Sequence, residues 1–317
     1  LKILVTGGAG FIASHIVDAY LSAGHEVWIV DDLSSGKIGN VSPRAVLHQM
    51  DITAVELYEL LLSFKPDIIN HHAAQISVPR SITDPFTDVQ TNIRGLVNLC
   101  EAAVKCGVKK IIFASSGGAI YGEPEEYPAT ERCPSKPLSI YAINKKASED
   151  YLYFYSHYYG LDYTILRYAN VYGPRQDPSG EAGVVSVFIE QLLTGKTPNL
   201  NAYPDDPDGM IRDYVFVRDV VNANLKALSK GSRDVFNIGT GIPIKTRELY
   251  TEINSQISHE IESVIEPSIM PARPGDVKRS LLNIDKARHF LDWYPQYGLG
   301  EGIRETVEFF KDKYTGA

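Results

Sequence analysis

The first half of the chain alternates short, β-branched apolar runs with longer stretches in which apolar residues return every three or four positions. KILVT (2–6), EVWIV (26–30), AVLHQM (45–50), DIINH (67–71), KIIFAS (110–115) and DYTILRY (162–168) have the length and composition of buried strands. Helix-length segments lie between them at 11–23, 53–64, 86–106 and 141–159. Near-continuous apolar strands separated by helices imply βαβ units, hence an α/β chain with a doubly wound parallel sheet covered on both faces. After about residue 170 the pattern loosens, and Pro and Gly gather at 173–183 and 197–209. DYVFV (213–217), a helix at 218–230 and VFNIG (235–239) read as a return to the sheet. The rest, with a helix at 301–313, reads as a smaller C-terminal α/β lobe. The expected division places residues 1–168 with about 210–248 in the sheet domain, and about 169–209 with 249–317 in the second lobe.

A length of 317 residues permits a large core. The formal charge of -8 argues against a general nucleic-acid or anionic-membrane surface, while a few local Arg or backbone N–H groups still suffice for a small anion. Cys100, Cys106 and Cys133 form no C-x-x-C pair, so they read as free thiols in a reducing compartment. No apolar run approaches the roughly 20 residues of a membrane span. The expectation is a cytoplasmic chain that is soluble, with KILVT already a strand rather than part of a leader. His71 and His72 end a strand, but no Cys, His or carboxylate stands at ligand spacing, so no metal is expected. The aromatic run YLYFYSHYYG (151–160) lacks interleaved Arg and Lys, and reads as a helix surface packed on the core or on a partner.

Candidate chemistry begins in VTGGAGFIAS, between the first strand and the first helix. Gly7 permits a tight turn, Gly10 lets backbone approach a pyrophosphate at the helix N-terminus, and Ala13 is small enough for close helix–sheet packing. Asp31 ends the second strand, where a carboxylate takes both hydroxyls of an adenosine ribose and repels a 2′-phosphate; this favours NAD over NADP. Asp51 and Ile52, ending the third strand, are placed to cap and line an adenine pocket. Tyr141 and Lys145 form the only Y-x-x-x-K pair in the chain, one turn apart on one helix face. Ser115 and Ser116 end the fifth strand, on the edge where open α/β sheets bind ligands.

TGGAGFIAS, Asp31 with LSSG, HHAAQISVPRS, Asn92, SSGGAIYG, Tyr141-x-x-x-Lys145, LRYANVYGPR, RDYVFVRD and ARPGD span nearly the whole chain. On these motifs, in this order, the chain resembles the extended short-chain dehydrogenase/reductase family, in its nucleotide-sugar epimerase branch. The resemblance implies a Rossmann-type fold, NAD as cofactor and a UDP-hexose as substrate. The implied reaction inverts sugar C4 through a 4-keto intermediate, interconverting UDP-galactose and UDP-glucose. Tyr141 would be its base and acid, with Lys145 lowering the phenol's pKa and reaching the nicotinamide ribose. Implied cofactor contacts are Gly7, Gly10, Phe11, Ile12, Asp31, Asp32, Ser34, Ser35, Asp51, Ile52, His72, Ala73, Ala74, Asn92, Ser115, Tyr141, Lys145 and Tyr168.

Implied substrate contacts are Ser77, Gly117, Asn170, Tyr203, Arg212, Arg273, Asp276 and Ser280. Arg212 and Arg273 fall where the family's arginines meet the diphosphate; ion pairs with Asp213 or Asp276 are the alternative. Asp276 is also a candidate for the uridine ribose, and 198–203 for the uracil site. A small Ser280 leaves room for a 2-acetamido group. The family places Ser or Thr four residues before Tyr121, where this chain has Gly117, so Ser116 or a water is expected to bind the O4 hydroxyl. SSGGAIYG also lacks the Asp-Glu pair that resembling 4,6-dehydratases carry. A homodimer pairing the helices around 86–106 and 141–159 as a four-helix bundle is further implied. Two alternatives stay open: a UDP-glucuronate epimerase or decarboxylase with Arg80 near C6, and a non-catalytic NAD-binding sensor suggested by Gly117.

Overall fold

The apolar runs of the first half pair side by side, as their two-sided burial requires. The computed structural model describes residues 1–179, 183–258, 265–272 and 277–315. Its first six strands are β1 (Lys2–Thr6), β2 (Glu26–Asp31), β3 (Val46–Gln49), β4 (Ile68–His71), β5 (Lys110–Ser116) and β6 (Asp162–Tyr168). Shorter ones follow: β7 (Asn170–Tyr172), β8 (Asn199–Ala202), β9 (Ile211–Arg212), β10 (Tyr214–Phe216), β11 (Asp234–Ile238), β12 (Ile244–Lys245) and β13 (Ser268–Pro271). Seven of them form one sheet in the order β11-β6-β5-β4-β1-β2-β3, with every pairing in it parallel. The chain winds outward from β1 in both directions, which leaves a switch point in strand order beside β1 at the C-terminal edge.

The helices of the first half are α1 (Phe11–Ser22), α2 (Leu57–Phe64), α3 (Val78–Thr83), α4 (Pro85–Val89), α5 (Gly95–Cys106), α6 (Gly117–Ile120) and α7 (Ile140–Tyr159). Those of the second half are α8 (Val184–Leu193), α9 (Val217–Ala227), α10 (Thr246–Ser258) and α11 (Leu299–Thr315). On one face of the sheet Leu61, Phe64, Leu99, Phe113 and Leu152 join α2, α5 and α7 into a continuous apolar cluster. On the other, α1 packs Ile16 and Tyr20 against Ile3 and Ile29, and α9 packs Val220 and Ala223 near Leu166 and Phe236. Fully burying a side chain of this size contributes about 1.5–3 kcal/mol. A separate cluster containing Phe188, Phe216, Ile253 and Phe310 joins α8, α10 and α11.

Two sequence expectations are corrected. DYVFV does not rejoin the main sheet: β10 pairs with β7 in a two-stranded parallel ribbon, and only β11 extends the sheet, beside β6. The chain enters α9 directly after Phe216, leaving β10 three residues long. The segment 86–106 is also no single helix. One π turn, Gln90–Arg94, interrupts it between α4 and α5, and the wide turn accompanies a buried polar cluster around Asp88 and Asn92.

Candidate active site

Parallel register aligns the strand ends along one edge, with Thr6 level with Val30 and His71, and Ser116 level with Tyr168. Immediately after β1, Gly7 takes φ +69°, and a Cβ there would stand 2.7 Å from the Ala73 nitrogen. Only glycine fits this turn, on which the 72–73 backbone closes. Gly10 precedes α1, whose first turn has neither a side-chain cap nor an acidic residue. Its leading N–H groups therefore remain available to an anion. At the end of β2, Asp31 is 6% exposed and accepts hydrogen bonds from the backbone N–H groups of Ala9 and Leu33, both at 2.9 Å. Burial pushes its carboxyl pKa up, while those two bonds act against the rise. Two oxygens offer about four acceptor positions, so capacity remains for a diol.

His72 adds a buried Nδ1 with no partner among the described residues. Its Nε2 shares a hydrogen bond with the Tyr168 hydroxyl at 3.1 Å. Burial, then the nearby Lys145 charge, brings the His72 pKa down to about 3, so the ring is neutral. Turn, uncapped helix, carboxylate and orphaned imidazole nitrogen together fit a dinucleotide laid across the edge from Asp31 to His72. Phe11 and Ile12, in the first turn of α1, and Ala73 and Ala74 are partly buried around it.

Several other expected cofactor residues prove to be engaged within the chain. Asp32 accepts from the Ser34 N–H and hydroxyl, at 2.9 and 2.6 Å, and Ser35 is exposed. Asp51 accepts from Thr53 N–H at 2.7 Å. The buried Ile52 gives its carbonyl to Asn98. Asn92 donates to the Gln75 carbonyl and Asp88 and accepts from Gln75 N–H, which uses both amide hydrogens and one acceptor position. Tyr168 is buried in the core, its hydroxyl accepting from Asn224 at 2.8 Å.

Ser139 caps α7 by accepting from Ala142 N–H at 3.2 Å, which sets the first turns of α7 beside the end of β5. Tyr141 and Lys145 project from those turns. The Ser116 hydroxyl is a hydrogen-bond partner of the Tyr141 phenol. Burial dominates and pushes that phenol up to about 12, with the Ser116 bond opposing the rise and Asp88 adding to it. Lys145 donates to the Ala114 carbonyl at 3.0 Å, with Nζ 4.9 Å from the Phe113 ring centroid and 5.8 Å from that of Tyr141. Burial brings the ammonium down to about 8, and Asp88 and Glu149 resist. In this arrangement the phenol has Ser116 as its hydrogen-bond partner, while the Lys145 ammonium stands over the ring rather than at the hydroxyl.

Ser115 is likewise engaged within the chain. Consecutive strand residues face opposite sides, and its hydroxyl turns from the edge to donate to Glu149 at 2.7 Å. Glu149 also receives two bonds from Arg167, at 2.9 and 2.5 Å. Arg167 donates onward to the Tyr121 hydroxyl, which donates to Asn237, both at 2.7 Å. This buried network escaped the sequence reading; its available signal was Arg167, the one cation in the strand DYTILRY. The missing hydroxyl at Gly117 has a steric reason. A Cβ there would stand 2.5 Å from Leu282 Cδ1 and 3.1 Å from the Arg167 carbonyl oxygen. At Gly118 a Cβ would instead meet Asn170 Oδ1 at 3.3 Å and Ser280 Oγ at 4.0 Å.

Gly118 thus links two of the expected substrate residues, Asn170 and Ser280, into one wall. The Asn170 N–H donates to the Asp213 carbonyl and the Ser280 N–H to the Ile211 carbonyl. Asp213 engages its carboxylate with Thr240, Gly241 and Leu282, and Arg212 donates to the Ile211 carbonyl at 3.0 Å. Tyr203 lies under Lys278, whose Nζ is 4.8 Å from the ring centroid. The Ser77 hydroxyl caps α3 by accepting from Arg80 N–H. Arg273 and Asp276 lie outside the described residues. Among the described residues there is no group of three or more His, Cys, Asp or Glu placed to hold a metal, and no helix long and apolar enough to cross a membrane.

Comparison with known proteins agrees with this geometry. Residues 3–239 match the model of the NAD dependent epimerase/dehydratase family. The chain is 47% identical to a UDP-glucose 4-epimerase of Mycolicibacterium smegmatis, over 99% of each chain. A crystal structure of the UDP-glucose 4-epimerase of Thermotoga maritima with UDP-glucose superposes with a TM-score of 0.94 at 45% identity, covering 99% of this chain and 100% of that one. The Thermus thermophilus UDP-glucose 4-epimerase complex with NAD gives a TM-score of 0.91 at 43% identity, covering 98% and 99%.

Proposed function

This chain belongs to the NAD dependent epimerase/dehydratase family, and from that premise we propose that it catalyses NAD-dependent 4-epimerisation of UDP-hexoses, interconverting UDP-galactose and UDP-glucose. The observation that carries the reading is the meeting of Ser116, Tyr141 and Lys145 at the sheet edge that also holds the Gly7 turn and Asp31. Full-length similarity to UDP-glucose 4-epimerases supports the same chemistry.

Gly7, Gly10, Asp31 and His72 would hold NAD, which supplies the hydride acceptor when bound. Tyr141 removes and returns the proton of the sugar 4-hydroxyl. At about 12 its phenol is protonated at rest, so ionisation needs help. Ser116 supplies a hydrogen bond that favours the phenolate, and Lys145 a positive charge close to the ring. Asn170 and Ser280 border the sugar, and Arg212, Arg273 and Asp276 are assigned to the diphosphate and uridine. The small residues Gly118 and Ser280 leave room for a 2-acetamido group, so N-acetylated UDP-hexosamines are included as substrates. The sheet domain binds the cofactor and the C-terminal lobe the nucleotide sugar.

The protein works as a cytoplasmic homodimer in this reading. Ile143, Tyr151, Phe154 and Tyr158 on α7 and Phe86 on α4 are exposed, Phe86 by 86%, and a second copy would cover them. Proton NMR of UDP-galactose with the purified protein and NAD tests the reaction. The expected result is growth of the UDP-glucose anomeric signal without net NADH. Bound NAD with no conversion of any UDP-hexose would overturn it in favour of a sensor.

A further inference from the structure

We propose that Asp88 is a positioning residue of this site: a buried carboxylate whose charge holds Lys145 as the ammonium beside Tyr141. The inference rests on the catalytic reading of Tyr141 and Lys145 given above. Asp88 is 0% exposed. Its Oδ1 accepts from Asn144 at 2.6 Å and Asn92 at 3.0 Å, and its Oδ2 from Gln75 at 2.7 Å. All three donors are neutral amides. They satisfy the oxygens but leave the charge uncompensated, and among the described residues Asp88 makes no ion pair. An unmatched buried charge is costly to maintain, and Asn144 is adjacent in sequence to Lys145.

The surroundings of Lys145 single Asp88 out. On α7 it faces Tyr141 and Glu149; on α4, Asp88; at the end of β4, His71 and His72; on β5, the Ala114 carbonyl and the Phe113 ring. Both histidines are neutral. Glu149 is matched by the two hydrogen bonds from Arg167 on β6. Asp88 is then the carboxylate facing Lys145 that no guanidinium or other ammonium neutralises, and it opposes the effect of burial on the lysine. The same cluster ties α4 and the π turn to α7 through Asn92 and Asn144, so the charge is fixed relative to the catalytic helix.

The test is the pH dependence of kcat for UDP-galactose, measured on the holoenzyme. Asp88→Asn keeps the shape and removes the charge. Its basic limb is expected to move down by about one pH unit, because Lys145 loses its proton more readily. Asn144→Asp puts a second carboxyl 2.6 Å from the first, where the pair shares one proton and keeps a single charge, so its limb is expected to stay in place. The D88N/N144D double variant, which carries the charge across that bond, is expected to restore the wild-type limb. A purely structural Asp88 would change stability and leave all three limbs in place, and that result overturns the proposal. Should D88N not fold, Asp88→Ser, which also removes the charge, decides in its place, and an unmoved limb there is equally fatal. Tyr141→Phe, run in parallel, separates the premises. Surviving turnover in Y141F overturns the catalytic reading itself. An inactive Y141F with an unmoved D88N limb overturns only the role of Asp88.

Discussion

Lys145 titrates from 10.5 in its ordinary state to about 8 in its buried position, so between these values the unfolded chain binds more protons than the folded one. Stability therefore rises with pH through that window, and below it burial of the ammonium costs about 3 kcal/mol. Lys145→Met is expected to raise the thermal midpoint at pH 7, to lose that advantage above pH 10.5, and to abolish turnover. Calorimetry across pH checks the first two and an NMR assay the third. Ser116→Ala removes the hydrogen bond that favours the phenolate. It should lower kcat by about 10²-fold with little change in KM; full turnover would assign the proton transfer's support elsewhere. The pair Tyr141 and Lys145 was legible because a helix converts a spacing of four into one face. Which of Ser115 and Ser116 faces the site was not, since adjacent strand residues point apart and only the partners Glu149 and Tyr141 distinguish them. Asp88 and Glu149 were invisible for a related reason: Asn144, which bonds Asp88, and Ser115 and Arg167, which bond Glu149, are remote in sequence.

Among the elements, the glycine turn and α1 transferred from sequence to structure with little loss, because a turn at positive φ and an uncapped helix start depend on local residues. Gly7→Ala combines an unfavourable φ with a Cβ 2.7 Å from the Ala73 nitrogen. It is expected to destabilise the fold by at least about 1 kcal/mol and to weaken NAD binding, both readable by thermal shift with and without NAD. Retention of wild-type affinity would show that the turn is not part of the cofactor site. The strands of the main sheet were legible from apolar runs alone. The excursion of β7 and β10 into their own ribbon was not, because a three-residue buried strand has the same composition wherever it pairs. The π turn between α4 and α5 escaped similarly. Its periodicity matches a continuous helix on either side, and only the hydrogen bonds of Asn92 and Asp88 mark the interruption.

At the scale of the whole molecule, His71 behind the site makes the protein sensitive to acid. It shares a 2.6 Å hydrogen bond with Thr6, and burial, followed by the Lys145 charge, brings its pKa from 6.5 down to about 3. As pH falls through this interval the unfolded chain gains a proton that the folded chain refuses, so stability is lost, by about 2 kcal/mol at pH 5 for this one residue. His72 acts in the same direction. Denaturant unfolding at pH 7 and pH 5 should show the drop, and His71→Asn should reduce the difference between the two.

The contact of Gly117 with Leu282 has a consequence for redesign. Position 117 follows β5, whereas Leu282 arrives from a distant part of the chain, and the two share one volume. Restoring a hydroxyl at 117 alone would meet a methyl group already in place. At 117 alone any side chain requires Leu282 to shift, so alanine and serine are expected to be tolerated better than larger or branched residues. A joint library over 116, 117 and 282 can relocate the hydroxyl by one position while a smaller residue at 282 vacates the space, so these three sites form one unit of heredity for the active-site floor.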